Sequence, residues 1–196
     1  MSEIEIDKNA ALIVIDVQEG FTDPYWGRRD NPAAEENIAA LIREWRAERR
    51  PIVIVRHDSR TPGSPLLPGA PGNAVKDLVA VALGPEAPDL FLTKSVNSAF
   101  YGRPNLDEWL RGHGIGQIII VGMQTNMCNE TTARMAGNLG YQVLYPIDAM
   151  HTFDATGPDG EVVTAEDLTR ATAASLHHGG FAQVIHTTDL LTTSPS

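Results

Sequence analysis

The sequence predicts an α/β fold: a three-layer αβα sandwich, with helices on both faces of a six-stranded parallel sheet, built as one domain over residues 1–196. Three observations carry that expectation. Short apolar runs recur along the chain without polar alternation, as strands buried on both faces do. The stretches between them place apolar residues at helical spacing. The length suits a single domain burying roughly 70% of its unfolded surface, and no linker or internal repeat divides it.

The first run, AALIVID (10–16), leads to a helix from Pro32 to Arg49 in which Ile38, Leu41, Ile42 and Trp45 fall at i, i+3, i+4 and i+7. PIVIVRH (51–57) is the second strand. TPGSPLLPGAPGN (61–73) is too dense in Pro and Gly for regular structure and reads as a long functional loop. AVKDLVAVAL (74–83) is helical, LFLTK (90–94) is the third strand, NLDEWLRGHG (105–114) is helical, and QIIIVGM (117–123) is the fourth strand. A helix opening after Asn126 ends at Gly140, a glycine placed to terminate it. YQVLYPIDA (141–149) and AQVIHTTDLL (182–191) supply the last two strands. Between them Thr164 and Asp167 resemble a capping box, with Asp for the usual Glu, opening a helix to about His178. Strands alternating with helices in this way wind right-handed crossovers onto a doubly wound sheet.

Composition narrows the function classes. A formal net charge of −10 argues against a nucleic-acid backbone or an anionic membrane surface as partner and favours a small-molecule substrate. The acidic MSEIEIDKNA lacks the layout of a signal peptide, and no apolar run is long enough to span a bilayer, so the expectation is a soluble, cytoplasmic protein. The single cysteine, Cys128, excludes an internal disulfide.

Ligands of doubly wound sheets bind beyond the carboxyl ends of the strands. Asp16 ends the first strand, Lys94 ends the third, and Cys128 opens the helix after the fourth, so all three reach that edge. In the first turn of a helix, unpaired N–H groups favour a thiolate, and a nearby Lys adds to the effect, while Asp16 opposes it. A base, a nucleophile and a fixed cation are three of the parts acyl transfer needs, an oxyanion hole being the fourth. Each residue taken singly has a plainer role: a free Cys as core filler, an Asp as helix cap, a Lys as solvated edge charge.

In combination, IDVQEGF (15–21), KSVNSAFYG (94–102), GMQTNMCNETTARMAGNLGY (122–141) and DAMHTFD (148–154) resemble the isochorismatase-like cysteine hydrolases, which include nicotinamidases, carbamoyl amidohydrolases, maleamate-type amidases and ureide hydrolases. LHHGGFAQVIHTTDLL (176–191) is similar to their terminal segment. The resemblance implies strand order 3-2-1-4-5-6, a catalytic triad of Asp16, Lys94 and Cys128, and a cis peptide bond between Met123 and Gln124. It also implies an oxyanion hole from the Gln124 and Cys128 N–H groups, and a homo-oligomer, dimer or tetramer. The implied reaction is cysteine-dependent hydrolysis of a C–N bond in a small amide, lactam or carbamoyl compound through a thioester. A vestigial binding or scaffold protein and an ether hydrolase of the isochorismate type are the alternatives.

Departures from the pattern shape further expectations. Nicotinamidases hold a metal with Asp-x-His and a further His after strand two, whereas this chain reads RHDSRTPGSP, with His57 and Asp58 adjacent; no metal and no cofactor are expected. Asn129 follows the Cys where relatives commonly carry Val or Ile; substrate contact and helix cap are its two readings, the cap being favoured. Gln18, Phe21, Trp26, Asn97, Phe100, Tyr101 and His151 are candidates for the substrate wall, while His177, His178 and His186 read as surface residues.

Overall fold

The structure, a computed structural model, describes residues 4–191. Its centre is a parallel sheet of β1 (Ala11–Ile15), β2 (Ile52–His57), β3 (Leu90–Lys94), β4 (Gln117–Met123), β5 (Gln142–Pro146), a two-residue β6 (Met150–His151) and, beyond the small hairpin of β7 (Ala155–Thr156) and β8 (Val162–Val163), β9 (Gln183–Ile185). The order is β3-β2-β1-β4-β5-β9, with β6 paired to β4. The expected 3-2-1-4-5-6 order therefore holds, the sixth position being β9. The helices are α1 (Ala34–Ala47), α2 (Asp77–Leu83), α3 (Leu106–Gly112), α4 (Glu130–Asn138), α5 (Ala165–His178) and α6 (Thr188–Leu191).

Strand geometry divides the core into two layers, because successive side chains point to opposite faces. Leu12 and Val14 of β1 join Ile52, Ile54, Ile119 and Val121 against Ile38, Leu41, Ile42 and Trp45 of α1, with Val79 of α2 and Leu190 of α6. Ala11, Ile13 and Ile15 join Val53, Val55, Ile118 and Ile120 against Leu106 and Leu110 of α3, Ala133 and Ala136 of α4, and Leu176 of α5. Burial on both sides explains why β1 and β4 read as unbroken apolar runs.

The capping box at α5 is present in its first half, the Thr164 hydroxyl accepting from Asp167 N at 3.2 Å. α4 ends before Gly140, whose φ of +92° supplies the left-handed turn expected there.

Two strands are shorter than expected. The fifth ends at Pro146, after which residues 147–149 form a 3-10 turn. The sixth covers only Gln183–Ile185, because side chains take over its ladder: Asp189 accepts from His186 N at 2.8 Å and Asp148 from Thr187 N at 2.7 Å, and α6 follows.

The sheet reverses direction of winding at β1 and β4, which lie side by side. They approach closely where Gly122 passes Ile15: φ at Gly122 is +123°, and a Cβ there would lie 1.9 Å from the Ile15 carbonyl oxygen. Only glycine fits, and the contact draws the chain after β1 and the chain after β4 to one point.

Candidate active site

Asp16 leaves β1 in the left-handed region, φ 54°, a conformation Asp tolerates better than most residues. Its N–H still bonds Val55 O at 2.9 Å, so the kink is held by the neighbouring strand. Lys94 ends β3, separated from β1 by the whole of β2, a span of about 10 Å. Its side chain makes that reach: Nζ lies 2.6 Å from Asp16 Oδ2, and both side chains are fully buried. The same ammonium contacts Cys128 Sγ at 3.2 Å and His57 Nδ1 at 3.2 Å. Asp16 Oδ1 has no hydrogen-bond partner among the described residues and is free to receive a proton.

Cys128 sits in a π-helical turn, Thr125–Asn129, ahead of α4 rather than in the first turn of an α-helix. Tyr145 OH donates to Thr125 O at 2.7 Å, and the Thr132 hydroxyl donates to Cys128 O at 2.7 Å, fixing the turn from both ends. The expected lowering of the thiol does not survive: burial and then the Asp16 carboxylate push Cys128 up to about 12, outweighing the Lys94 ammonium. For Lys94 the balance goes the other way, since burial disfavours its charge but Asp16 and then Cys128 hold it above the usual lysine range.

The Met123–Gln124 bond is cis. Gln124 N makes no hydrogen bond among the described residues, and Gln124 lines the same cavity as Cys128.

Asp16, Cys128 and Gln124 open on a cavity of about 230 Å³ whose remaining wall is Phe21, Trp26, His57, Leu66, Asn97 and Met127. Leu66 arrives from the Pro/Gly loop, which is pinned in place: a Cβ on Gly72 would lie 2.7 Å from Gly20 Cα and 2.5 Å from Pro65 O. The ligand atoms of Asp16, His57 and Cys128 lie within 4.8 Å of one another, close enough to share a cation. The Lys94 ammonium touches all three and is the positive charge of that cluster.

Comparison with known proteins identifies the family. The model of the isochorismatase domain matches residues 10–194. The chain belongs to the isochorismatase family. It is 34% identical over 186 residues to an uncharacterized isochorismatase family protein of Bacillus subtilis, YrdC, covering 95% of this chain and 96% of the relative. It is 30% identical to nicotinamidase 3 of Arabidopsis thaliana over 91% of this chain and 85% of that one. Among solved structures, a putative hydrolase of the isochorismatase family from Chromobacterium violaceum superposes with a TM-score of 0.88 at 34% identity, covering 97% and 96% of the two chains. A cysteine hydrolase from Pseudomonas syringae gives 0.81 at 26% identity over 95% and 92%. This isochorismatase-family chain is thus a hydrolase with the family's sheet order.

Of the wall candidates read from the sequence, Phe21, Trp26 and Asn97 line the cavity, and four do not. Gln18 is buried and spends its amide on backbone, accepting from His57 N at 2.8 Å and donating to His57 O and Asn73 O at 3.0 and 2.9 Å. Phe100 turns into the core and stacks on Tyr141. Tyr101 is 69% exposed on the outer surface. His151 is fully buried behind Phe153, itself stacked on Trp26 and Phe21, and its ring faces Glu35 Oε1 at 3.8 Å. Burial, Arg29 and Lys76 lower it to about 3, Glu35 opposing them.

Asn129 does not cap α4, as its side chain makes no capping bond and is fully buried. His177, His178 and His186 are exposed. The sequence reading missed three wall residues. His57 carried a usable signal, since it ends a strand at the same edge as Asp16 and Lys94; Met127 adjoins the cysteine; Leu66 lies in the 61–73 loop already read as functional. Among the described residues, no helix is long and apolar enough to cross a membrane.

Proposed function

We propose that this hydrolase cleaves the C–N bond of a compact, uncharged amide by covalent thiol catalysis. The observation that carries the reading is the meeting of Asp16, Lys94 and Cys128, with Asp16, Cys128 and Gln124 on the wall of one small cavity. Because burial and the Asp16 carboxylate push the Cys128 thiol up, attack and proton loss go together: Asp16 takes the Cys128 proton as sulfur bonds to the amide carbon. The oxyanion is held by the Gln124 and Cys128 N–H groups. Collapse expels the amine or ammonia, protonated by Asp16, and leaves a thioester. Asp16 then takes a proton from water, which attacks the thioester and releases the acid, and the proton returns to sulfur. Lys94 keeps its charge throughout and balances the carboxylate.

Size and charge of the cavity narrow the substrate. At about 230 Å³ it falls below the range of roughly 300–1,000 Å³ that holds drug-sized ligands. Phe21, Trp26, Leu66 and Met127 make the wall largely apolar, and among the described residues no Arg or Lys lines it to hold a substrate carboxylate. The similarity to nicotinamidase 3 and to a cysteine hydrolase supports amide chemistry at such a site. The test is release of ammonia or amine from primary amides, carbamoyl compounds, ureides and lactams, each in neutral and carboxylate-bearing forms, by wild type and Cys128→Ala. The expected result is turnover of neutral members by wild type alone. Full turnover by Cys128→Ala would overturn the mechanism.

A further inference from the structure

An ammonium has three N–H bonds and accepts none. Around Lys94 Nζ stand three acceptors: Asp16 Oδ2 at 2.6 Å, Cys128 Sγ at 3.2 Å and His57 Nδ1 at 3.2 Å. We propose that His57 is a positioning residue of this site: its Nδ1 accepts the third Lys94 N–H, holding the ammonium between Asp16 and Cys128 and fixing the ring as the neutral tautomer with Nε2–H on the cavity wall.

The tautomer follows from the partner. Lys94 donates only, so Nδ1 carries the lone pair, and a neutral imidazole then bears its proton on Nε2. The charged or titratable groups facing His57 are Lys94, Asp16 and Asp58, with the Cys128 thiol within 4.8 Å of Asp16 and His57 alike. Burial and then Lys94 lower the ring's affinity for a second proton, against Asp16 and Asp58. Asp58 is committed elsewhere, pairing with Arg56 at 2.9 and 3.1 Å and accepting from Asn73 at 3.1 Å.

The chain holds His57 in place with unusual care. β2 and β3 pair in register so that His57 lies beside Lys94. The Gln18 amide grips both the N–H and the carbonyl of His57, and Asn73 Nδ2 donates to the same carbonyl at 3.0 Å. Three side-chain hydrogen bonds to one residue's backbone set where its ring stands. The Lys94 side chain, crossing from β3 to β1, passes that ring and is caught by it.

A second consequence, which rests on the amidase reading, concerns the substrate. A fixed Nε2–H on the wall shared with Cys128 favours an amide that carries a further acceptor, a second carbonyl oxygen or a ring nitrogen, over one with a purely hydrocarbon body.

The test separates the two nitrogens without needing the substrate. The intact protein is alkylated at Cys128, its single cysteine, with iodoacetamide across a pH series, in wild type, His57→Asn and His57→Leu. Asn puts its Oδ1 where Nδ1 stands and has no distal N–H, while Leu supplies neither. His57→Gln, which reaches the place of Nε2 and leaves that of Nδ1 empty, replaces His57→Leu if the latter does not fold.

The expected pattern is alkylation of His57→Asn within about threefold of wild type. His57→Leu should be slower by about tenfold at every pH of the series. On an amide that is turned over, His57→Asn should keep kcat and raise KM, and His57→Leu should lose kcat. Wild-type alkylation by His57→Leu overturns the proposal, as does His57→Asn falling to the level of His57→Leu. The expected alkylation pattern with no amide hydrolysed by wild type sustains the role of His57 and overturns the amidase reading instead.

Discussion

Replacing Lys94 by Met keeps the length and bulk of the side chain and removes its charge. The Asp16 carboxylate is then left in a fully buried place, with Oδ2 deprived of its 2.6 Å partner and Oδ1 already without one. Breaking one half of a buried ion pair costs about 3 to 5 kcal/mol. For a domain of this size that lowers the melting temperature by roughly 6 to 20 °C. Urea unfolding measures the deficit. Lys94→Met combined with Asp16→Asn should recover most of the loss, because no charge is then buried alone. A deficit under about 1 kcal/mol would refute the reasoning. So would a double variant no more stable than the single one.

Three further outcomes are expected. Gly122→Ala places a Cβ 1.9 Å from the Ile15 carbonyl oxygen and should cost at least about 3 kcal/mol, read as lost soluble yield or a lower melting temperature; a wild-type melting curve would contradict the close approach of β1 and β4. Glu35 is held down at about 2, where burial would raise it but Arg29 and Lys76 prevail, so its contribution is complete above about 4.5 and disappears as pH falls toward about 2. Glu35→Gln should therefore lose roughly 3 kcal/mol at neutral pH, a difference that closes on acidification and is followed by urea unfolding against pH. Trp26→Ala opens the cavity wall and should raise KM for compact amides by about tenfold with kcat nearly unchanged; steady-state kinetics with an unchanged KM would remove Trp26 from the binding surface.

The sheet was legible because β1, β2 and β4 are buried on both faces, and such strands appear in the sequence as unbroken apolar runs. Elements of two residues leave no period to read, which is why β6 and the β7–β8 hairpin went unseen. The positions of Asp16, Lys94 and Cys128 at one sheet edge followed from strand ends and were sharpened by family resemblance. Their electrostatics did not follow: helix-end geometry suggested a lowered thiol, and desolvation, invisible in the sequence, reversed it. Gln18 and His151 were misread for the same reason. A polar side chain near a sheet edge can face a ligand or satisfy buried backbone, and contacts 39 and 55 residues away in the chain decided it for Gln18.

The route by which Lys94 reaches the site separates what can vary in this chain from what cannot. Its direction is set by the pairing of β3 with β2, where a slip of one residue would turn the side chain to the opposite face and empty the site of its cation. The connection between those strands, residues 58–89, meets the sheet at both ends and carries the cavity wall on Leu66 between them. The same connection carries Asn73, which donates to the His57 carbonyl, so one stretch of chain both shapes what the cavity admits and steadies the ring beside the cation.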